Sequence, residues 1–299
     1  MNDELEKYLE YLKLKNFSPA TVQVRRQSIE HFSYWLGNLS KFDVREVSIE
    51  DLRNYFSHMQ KKNFSCNTID TRIRSIKLFF EYLENRQMIL INPAERLELP
   101  SLGKRWPVNI LTEEEVKQLL QSPNLGTSIG IRDRAIMELL YSTAIRRSEC
   151  ANLNIFDLDL NEGYIRINQG KGRKDRIVPL GKKASEYLKI YIEKVYPEQT
   201  KELDSNYLFY GYCKNRLEGE TINRMIQRYV KLARLNKPVT VHSFRRAAVT
   251  HMLKNGASPL YIQKMLGHST NETLKKYVRL TIKDVKEAHQ KHHPMEKIK

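Results

Sequence analysis

Apolar side chains recur at helical spacing through the first hundred residues. In SPATVQVRRQSIEHFSYWLGN, Ile29, Phe32 and Leu36 share one face, Ser18 is placed to cap, and Pro19 suits the first helical position. The same spacing marks VSIEDLRNYFSHMQ and TIDTRIRSIKLFFEYLENRQ, the second holding Ile73, Ile76, Phe79, Phe80 and Leu83. The pattern predicts a small all-helical unit over residues 1–100. Its polar faces carry Arg25, Arg26, Arg72, Arg74 and Lys77, which suit a phosphate backbone and equally an ordinary solvated surface.

The periodicity stops at SLGKRW, where Gly, Pro and basic residues take over, so residues 101–108 read as a linker. A second unit, 109–299, opens on LTEEEVKQLL, with Thr112 and Glu115 spaced as a capping box. GIRDRAIMELLYSTA is a further helix that should bury Ile136, Leu139 and Leu140. Between about residues 155 and 180 the period changes to two. There IFDLDL, GYIRIN and RIVPL alternate or are β-branched, and NEG and QGKGRKD form turns, which predicts a small antiparallel sheet. Helices are expected from KKASEYLKIYIEKVY to the end, the last running into the basic tail of EAHQKHHPMEKIK. The fold class is therefore mainly α with a small antiparallel β-sheet: a helical first domain and an α+β second domain, without internal repeats.

Charge narrows the partner. Lys and Arg total 51 against 35 acidic residues, a formal net charge of +16, which favours a polyanion and nucleic acid above all. No run of the sequence is apolar enough for a spanning helix, and the charged start MNDELEKYLEYLKLKN is unlike a signal peptide, so no membrane is expected. Three dispersed cysteines, Cys66, Cys150 and Cys213, indicate neither a disulfide framework nor a zinc cluster, and a reducing cytoplasm follows.

Three clusters carry polar residues that a plain core would not want. In YSTAIRRSECANL, Arg146 and Arg147 follow a short turn, and Glu149 lies three residues past Arg146, within reach of its guanidinium. In INQGKGRKDRIVPL, Lys171 sits at a hairpin tip between Gly170 and Gly172, with Arg173 and Lys174 beside it; no GxxxxGK spacing exists, which argues against nucleotide hydrolysis. In VHSFRRAAVTHMLKNGASPLYIQKMLGHSTNETLKKY, His242 and Arg245 lie on one face of a helix start, Arg246 follows, and His268 succeeds Gly267. Tyr277 stands among Lys275, Lys276 and Arg279.

These residue types fit one chemistry. A phosphodiester attacked by an oxygen nucleophile develops charge that two guanidinium forks neutralise without metal ions. A phenol becomes a competent nucleophile where a positive, hydrogen-bonding setting eases loss of its proton. A lysine or histidine there can protonate the departing sugar oxygen.

With those motifs in order, TAIRRSE, QGKGRKDRIVPL, HSFRR, LGH and a tyrosine nine residues beyond that histidine, the chain resembles the tyrosine recombinases, the phage-integrase and Xer group, over nearly its whole length. The resemblance implies a SAM-like helical core-binding domain and a catalytic domain with a C-terminal docking helix. Arg146 and Arg245 would hold the scissile phosphate, Glu149 would brace the site, and Lys171 would be the general acid. His242 and His268 would assist proton transfer and phosphate binding, and Tyr277 would be the nucleophile. Arg147, Arg173, Lys174 and Arg246, with the five basic residues of the first unit, would contact DNA. The resemblance further implies a specific double-stranded recombination site, a 3′-phosphotyrosine intermediate, and strand exchange through a Holliday junction. A homo-tetramer, or a hetero-tetramer of paralogues, would act on two sites with no cofactor or metal.

Ala144 departs from the family's glycine, Arg246 stands where a histidine is common, and Lys174 rivals Lys171 for the lysine role. No third, arm-type domain is expected before Met1. A Xer-like recombinase and a mobile-element integrase both fit. A type IB topoisomerase and a non-catalytic DNA-binding protein are the alternatives, and a covalent adduct and a two-site product discriminate them.

Overall fold

The computed structural model describes residues 1–97, 110–168, 175–201, 203, 205–211 and 215–267. The chain divides into two compact units, Met1–Arg105 and Trp106–Lys299.

In the first unit α1 (Asn2–Leu14), α2 (Pro19–Gly37), α3 (Ile49–Lys61) and α4 (Cys66–Asn85) enclose one core. The expected cap forms: the Ser18 hydroxyl accepts from the Thr21 amide, and Pro19 opens α2. Ser65 caps α4 in the same way, and Ser48 with Asp51 closes a capping box on α3. Ile29, Phe32 and Leu36 of α2 meet Ile73, Ile76, Phe79, Phe80 and Leu83 of α4, all buried. Tyr8, Leu9 and Leu12 of α1 close the remaining side. Aromatic rings fill the middle, with Phe32 edge-on to Tyr55 at 4.9 Å and to Phe80 at 6.4 Å, a geometry their quadrupoles favour.

The second unit begins with α5 (Glu113–Gln121), where Thr112 and Glu115 form the expected capping box. Next comes α6 (Ser128–Thr143), the helix around which this unit packs. The expected Ile136, Leu139 and Leu140 are buried, but so is nearly every other residue from Gly130 to Leu140. Its charges are matched pairwise inside. Arg134 bonds Glu138 and lies 4.2 Å over the Tyr187 ring, while Asp133 accepts from Arg132, Arg228 and Tyr229. The sequence expectation reached only Ile136, Leu139 and Leu140 because Arg228 and Tyr229, which meet Asp133, lie 95 and 96 residues further along the chain.

Beyond α7 (Arg147–Asn152) the expected first strand is shortened. Ile155–Asp157 is a 3-10 turn, because the Asp157 carboxylate accepts from the Asn154 amide and draws the backbone round. Only β1 (Leu158–Asp159) is extended. It pairs antiparallel with β2 (Tyr164–Ile167), which pairs with β3 (Arg176–Pro179) in the register Ile165↔Val178 and Ile167↔Arg176. Ile165, Ile167 and Val178 point into the core.

Then α8 (Lys182–Lys194) and α9 (Tyr196–Thr200) follow, the chain turning at Val195 ahead of Pro197. The expectation of helices from there to the end is corrected: the described residues 205–211 and 215–217 are not helical and carry the bridges Asn154↔Tyr207 and Tyr210↔Arg216. Helices resume as α10 (Gly219–Leu232), α11 (Val241–Lys254) and α12 (Pro259–Leu266). α11 starts on a Thr240–Ser243 capping box, and α12 stops at Gly267, whose φ of 63° is left-handed.

Candidate functional site: a guanidinium cluster around one carboxylate

The α6–α7 turn places the first cluster. α6 ends on Ala144, whose φ of 48° and ψ of 30° put an alanine in the left-handed region that glycine occupies without cost. That backbone suits the glycine that the resemblance led to expect at this position. Two residues later Arg146 becomes the N-cap of α7, and its amide donates to Glu149 Oε2 at 2.7 Å. The Arg146 guanidinium reaches the same carboxylate, Nη1 to Oε1 at 2.7 Å. The expected Arg146–Glu149 pairing therefore forms.

Glu149 has a second guanidinium partner that sequence reasoning missed. Arg176, the first residue of β3, spans the carboxylate with Nη1 to Oε1 at 3.0 Å and Nη2 to Oε2 at 2.7 Å. Its Nε donates to the Met265 carbonyl at the end of α12, 2.9 Å away. The RIVPL run read only as a strand; the signal available was an arginine entering a half-buried position, unusual unless a carboxylate awaits it. Burial alone would raise the Glu149 pKa. The Arg176 fork, the Arg146 amide and the Arg146 side chain outweigh it and hold the carboxyl at about 2.

Arg245, on the first turn of α11, is 4% exposed. Its Nη1 donates to the Ala144 carbonyl at 2.6 Å and its Nη2 to the Leu266 carbonyl at 3.3 Å. Arg146, Glu149, Arg176 and Arg245 thus gather where the α6–α7 turn, the start of β3, the start of α11 and the end of α12 converge. His242 stands three residues before Arg245 on α11. Although the residue retains exposed surface, desolvation, with the charges of Arg246 and then Arg245, lowers its pKa below the ordinary histidine value. The shift favours the neutral ring, the form able to accept a proton.

Of the other expected residues, Arg147 pairs with Glu220 of α10 at 2.5 Å, its stem lying against Gly219. Lys171, Arg173, Lys174, His268 and Tyr277 lie outside the described residues. In the first unit every expected basic residue has a protein partner. Arg25 donates to the Tyr8 hydroxyl at 2.8 Å, Arg26 pairs with Glu6 at 2.7 Å, and Arg72 stacks 4.5 Å over Phe64. Arg74 pairs with Asp70 one turn back, and Lys77 donates to the Leu97 carbonyl at 2.8 Å. A shallow groove between α2 and α4 is lined by Thr21, Arg25, Thr71 and Arg74 among others.

The pattern of the Phage integrase family matches residues 109–283, and that of the phage integrase N-terminal SAM-like domain matches residues 5–90. The chain belongs to the phage integrase family and is a site-specific tyrosine recombinase, an enzyme of DNA cleavage and religation. Tyrosine recombinase XerC 2 of Ralstonia nicotianae is 33% identical over 97% of this chain and 85% of its own. Tyrosine recombinase XerD of Staphylococcus epidermidis is 37% identical over 68% of each. Among solved structures, XerA recombinase is 30% identical, covering 98% of this chain and 99% of its own, with a TM-score of 0.56. The Tn1549 transposon integrase in complex with a circular intermediate DNA, 20% identical over 96% and 99%, shares the fold with a TM-score of 0.76. Among the described residues no helix is long and apolar enough to cross a membrane.

Proposed function

We propose that Arg146 and Arg245 hold the scissile phosphate of a specific double-stranded DNA site while the Tyr277 oxygen attacks phosphorus. The bond to the 5′ oxygen breaks as the new P–O bond forms. Lys171 delivers the proton that the departing 5′ hydroxyl needs, and the phenol proton passes to a neutral histidine, His242 or His268. The product is a 3′-phosphotyrosine that conserves the bond for religation, and the reverse step with a hydroxyl from the other site exchanges strands.

The observation that carries this reading is the arrangement about Glu149. Among the described residues Arg146 donates to no other side chain, and it spends one guanidinium nitrogen there, so most of its fork is left for an anion. The lowered pKa of His242 beside Arg245 supports the proton transfer. The groove between α2 and α4, with Arg25 and Arg74, supports a DNA-facing surface on the core-binding domain, residues 1–100, joined by linker 101–108 to the catalytic domain, 109–299. Arg26, Arg72 and Lys77, with Arg147, Arg173, Lys174 and Arg246, complete that backbone contact by exchanging protein partners for phosphates. Two DNA sites are brought together by a tetramer, of this chain or with a paralogue, passing through a Holliday junction in the cytoplasm. A structure similar to this chain, the lambda integrase tetramer bound to a Holliday junction, 16% identical with a TM-score of 0.71, makes that assembly the natural one to test.

The test is a nicked DNA carrying the cognate site. The wild-type chain should become covalently attached and Tyr277→Phe should not; an adduct that survives Tyr277→Phe would overturn the assignment.

A further inference from the structure

The geometry assigns Arg176 a role that neither the motifs nor the proposed chemistry includes: it is a positioning residue that sets the direction of the Arg146 fork and fixes the end of α12. The inference rests on the proposed role of Arg146.

Glu149 offers two oxygens. Had it only Arg146 as a cation, burial would favour a two-pronged pairing that uses both ends of that guanidinium. Arg176 takes that place instead, lying across both oxygens at 3.0 and 2.7 Å, so Arg146 donates a single side-chain nitrogen. The remaining contact to the carboxylate comes from the Arg146 backbone amide, which also fixes where the α7 N-terminus begins. With its side chain 10% exposed and each of its three nitrogens donating to a protein acceptor, Arg176 is committed inward and is not itself a phosphate ligand.

Its third contact links a different segment. Nε holds the Met265 carbonyl, and the side chain packs so tightly beneath Gly267 that a Cβ there would lie 3.0 Å from Arg176 Cδ and 3.2 Å from Nε. Gly267 is left-handed and is followed directly by His268. Arg176 is also the first residue of β3, two positions after Lys174 in the sequence. One side chain therefore ties together the α6–α7 turn that bears Arg146, the start of β3 and the end of α12. Lysine cannot substitute, because its single nitrogen cannot span a carboxylate and reach a carbonyl at the same time.

The experiment uses the full chain as Arg176→Lys, Arg176→Ala, Glu149→Gln and the Arg176→Lys/Glu149→Gln pair. Hydrogen exchange is followed in peptides over 145–150 and 263–267, and single-turnover adduct formation is followed on nicked DNA. Arg176→Lys, although it keeps the charge, should speed exchange of the Arg146 amide and slow adduct formation by about tenfold or more each, with DNA affinity changed by less than about threefold. The double variant should be no slower in cleavage than the slower single one, because both changes act through one carboxylate. Unchanged exchange and unchanged cleavage in Arg176→Lys would overturn the inference, as would a loss of cleavage matched by an equal loss of DNA affinity. If the wild-type chain forms no adduct, the proposed chemistry fails, and the exchange result alone still decides whether Arg176 positions the Arg146 turn.

Discussion

The arginines of the two units are held by different physics. Among those of the first unit, Arg74 pairs with Asp70 one helical turn away and Arg26 with Glu6 on a neighbouring helix, both at the surface. Such pairs are weak, screened by salt, and readily traded for a phosphate. In the catalytic unit Arg245 is buried and Arg176 half-buried, bonded to backbone carbonyls and, for Arg176, to a carboxylate that cannot leave. On the proposed reading the first kind gives a surface that adapts to a DNA backbone. The second gives a fixed site, because displacing any member leaves a charge unpaired in a poorly solvated place.

Breaking Glu149 should have the largest consequence. Glu149→Ala leaves two guanidiniums without their carboxylate and should cost about 3–5 kcal/mol in denaturant unfolding of the catalytic unit. Acid is the next lever. With a folded pKa of about 2 against an ordinary 4.5, Glu149 contributes stability that is full above the unfolded value and lost as pH falls through the folded one. The loss should amount to on the order of 3 kcal/mol between roughly pH 5 and pH 2, and Glu149→Gln should flatten that part of the stability profile. Gly267→Ala comes third: the left-handed backbone and the approach of Arg176 should cost about 1–2 kcal/mol, with slower cleavage as Arg176 is pushed aside. Arg26→Ala is the smallest. It should leave the unfolding midpoint of the core-binding unit unmoved and show itself only as a shallower salt dependence of DNA binding.

Much of this was legible from residue spacing. The Ser18 cap, the Thr112–Glu115 box, the buried faces of α2 and α4, and the Arg146–Glu149 pair all depend on neighbours within one or two turns, where sequence and space nearly coincide. Ala144 was conspicuous as a departure from a family pattern, and its left-handed φ gives the reason. What escaped depends on contacts between distant segments. Arg176 meets Glu149 across 27 positions and Met265 across 89, and no local period encodes either. The buried charges of α6 escaped for the same reason, since Asp133 finds Arg228 and Tyr229 on α10. The 3-10 turn at Ile155–Asp157 escaped because a side-chain bond from Asp157 outweighed the β-like alternation of IFDLDL.

The claim at the centre is that the Arg146 fork, oriented by Glu149, neutralises charge on the scissile phosphate. Single-turnover cleavage by Arg146→Ala, compared on ordinary nicked DNA and on DNA whose scissile phosphate is a neutral methylphosphonate, tests it directly. Cleavage of the ordinary phosphate should slow by about a hundredfold or more and recover substantially on the neutral one, where there is less charge to stabilise. An equal defect on both substrates, or none on either, would contradict it.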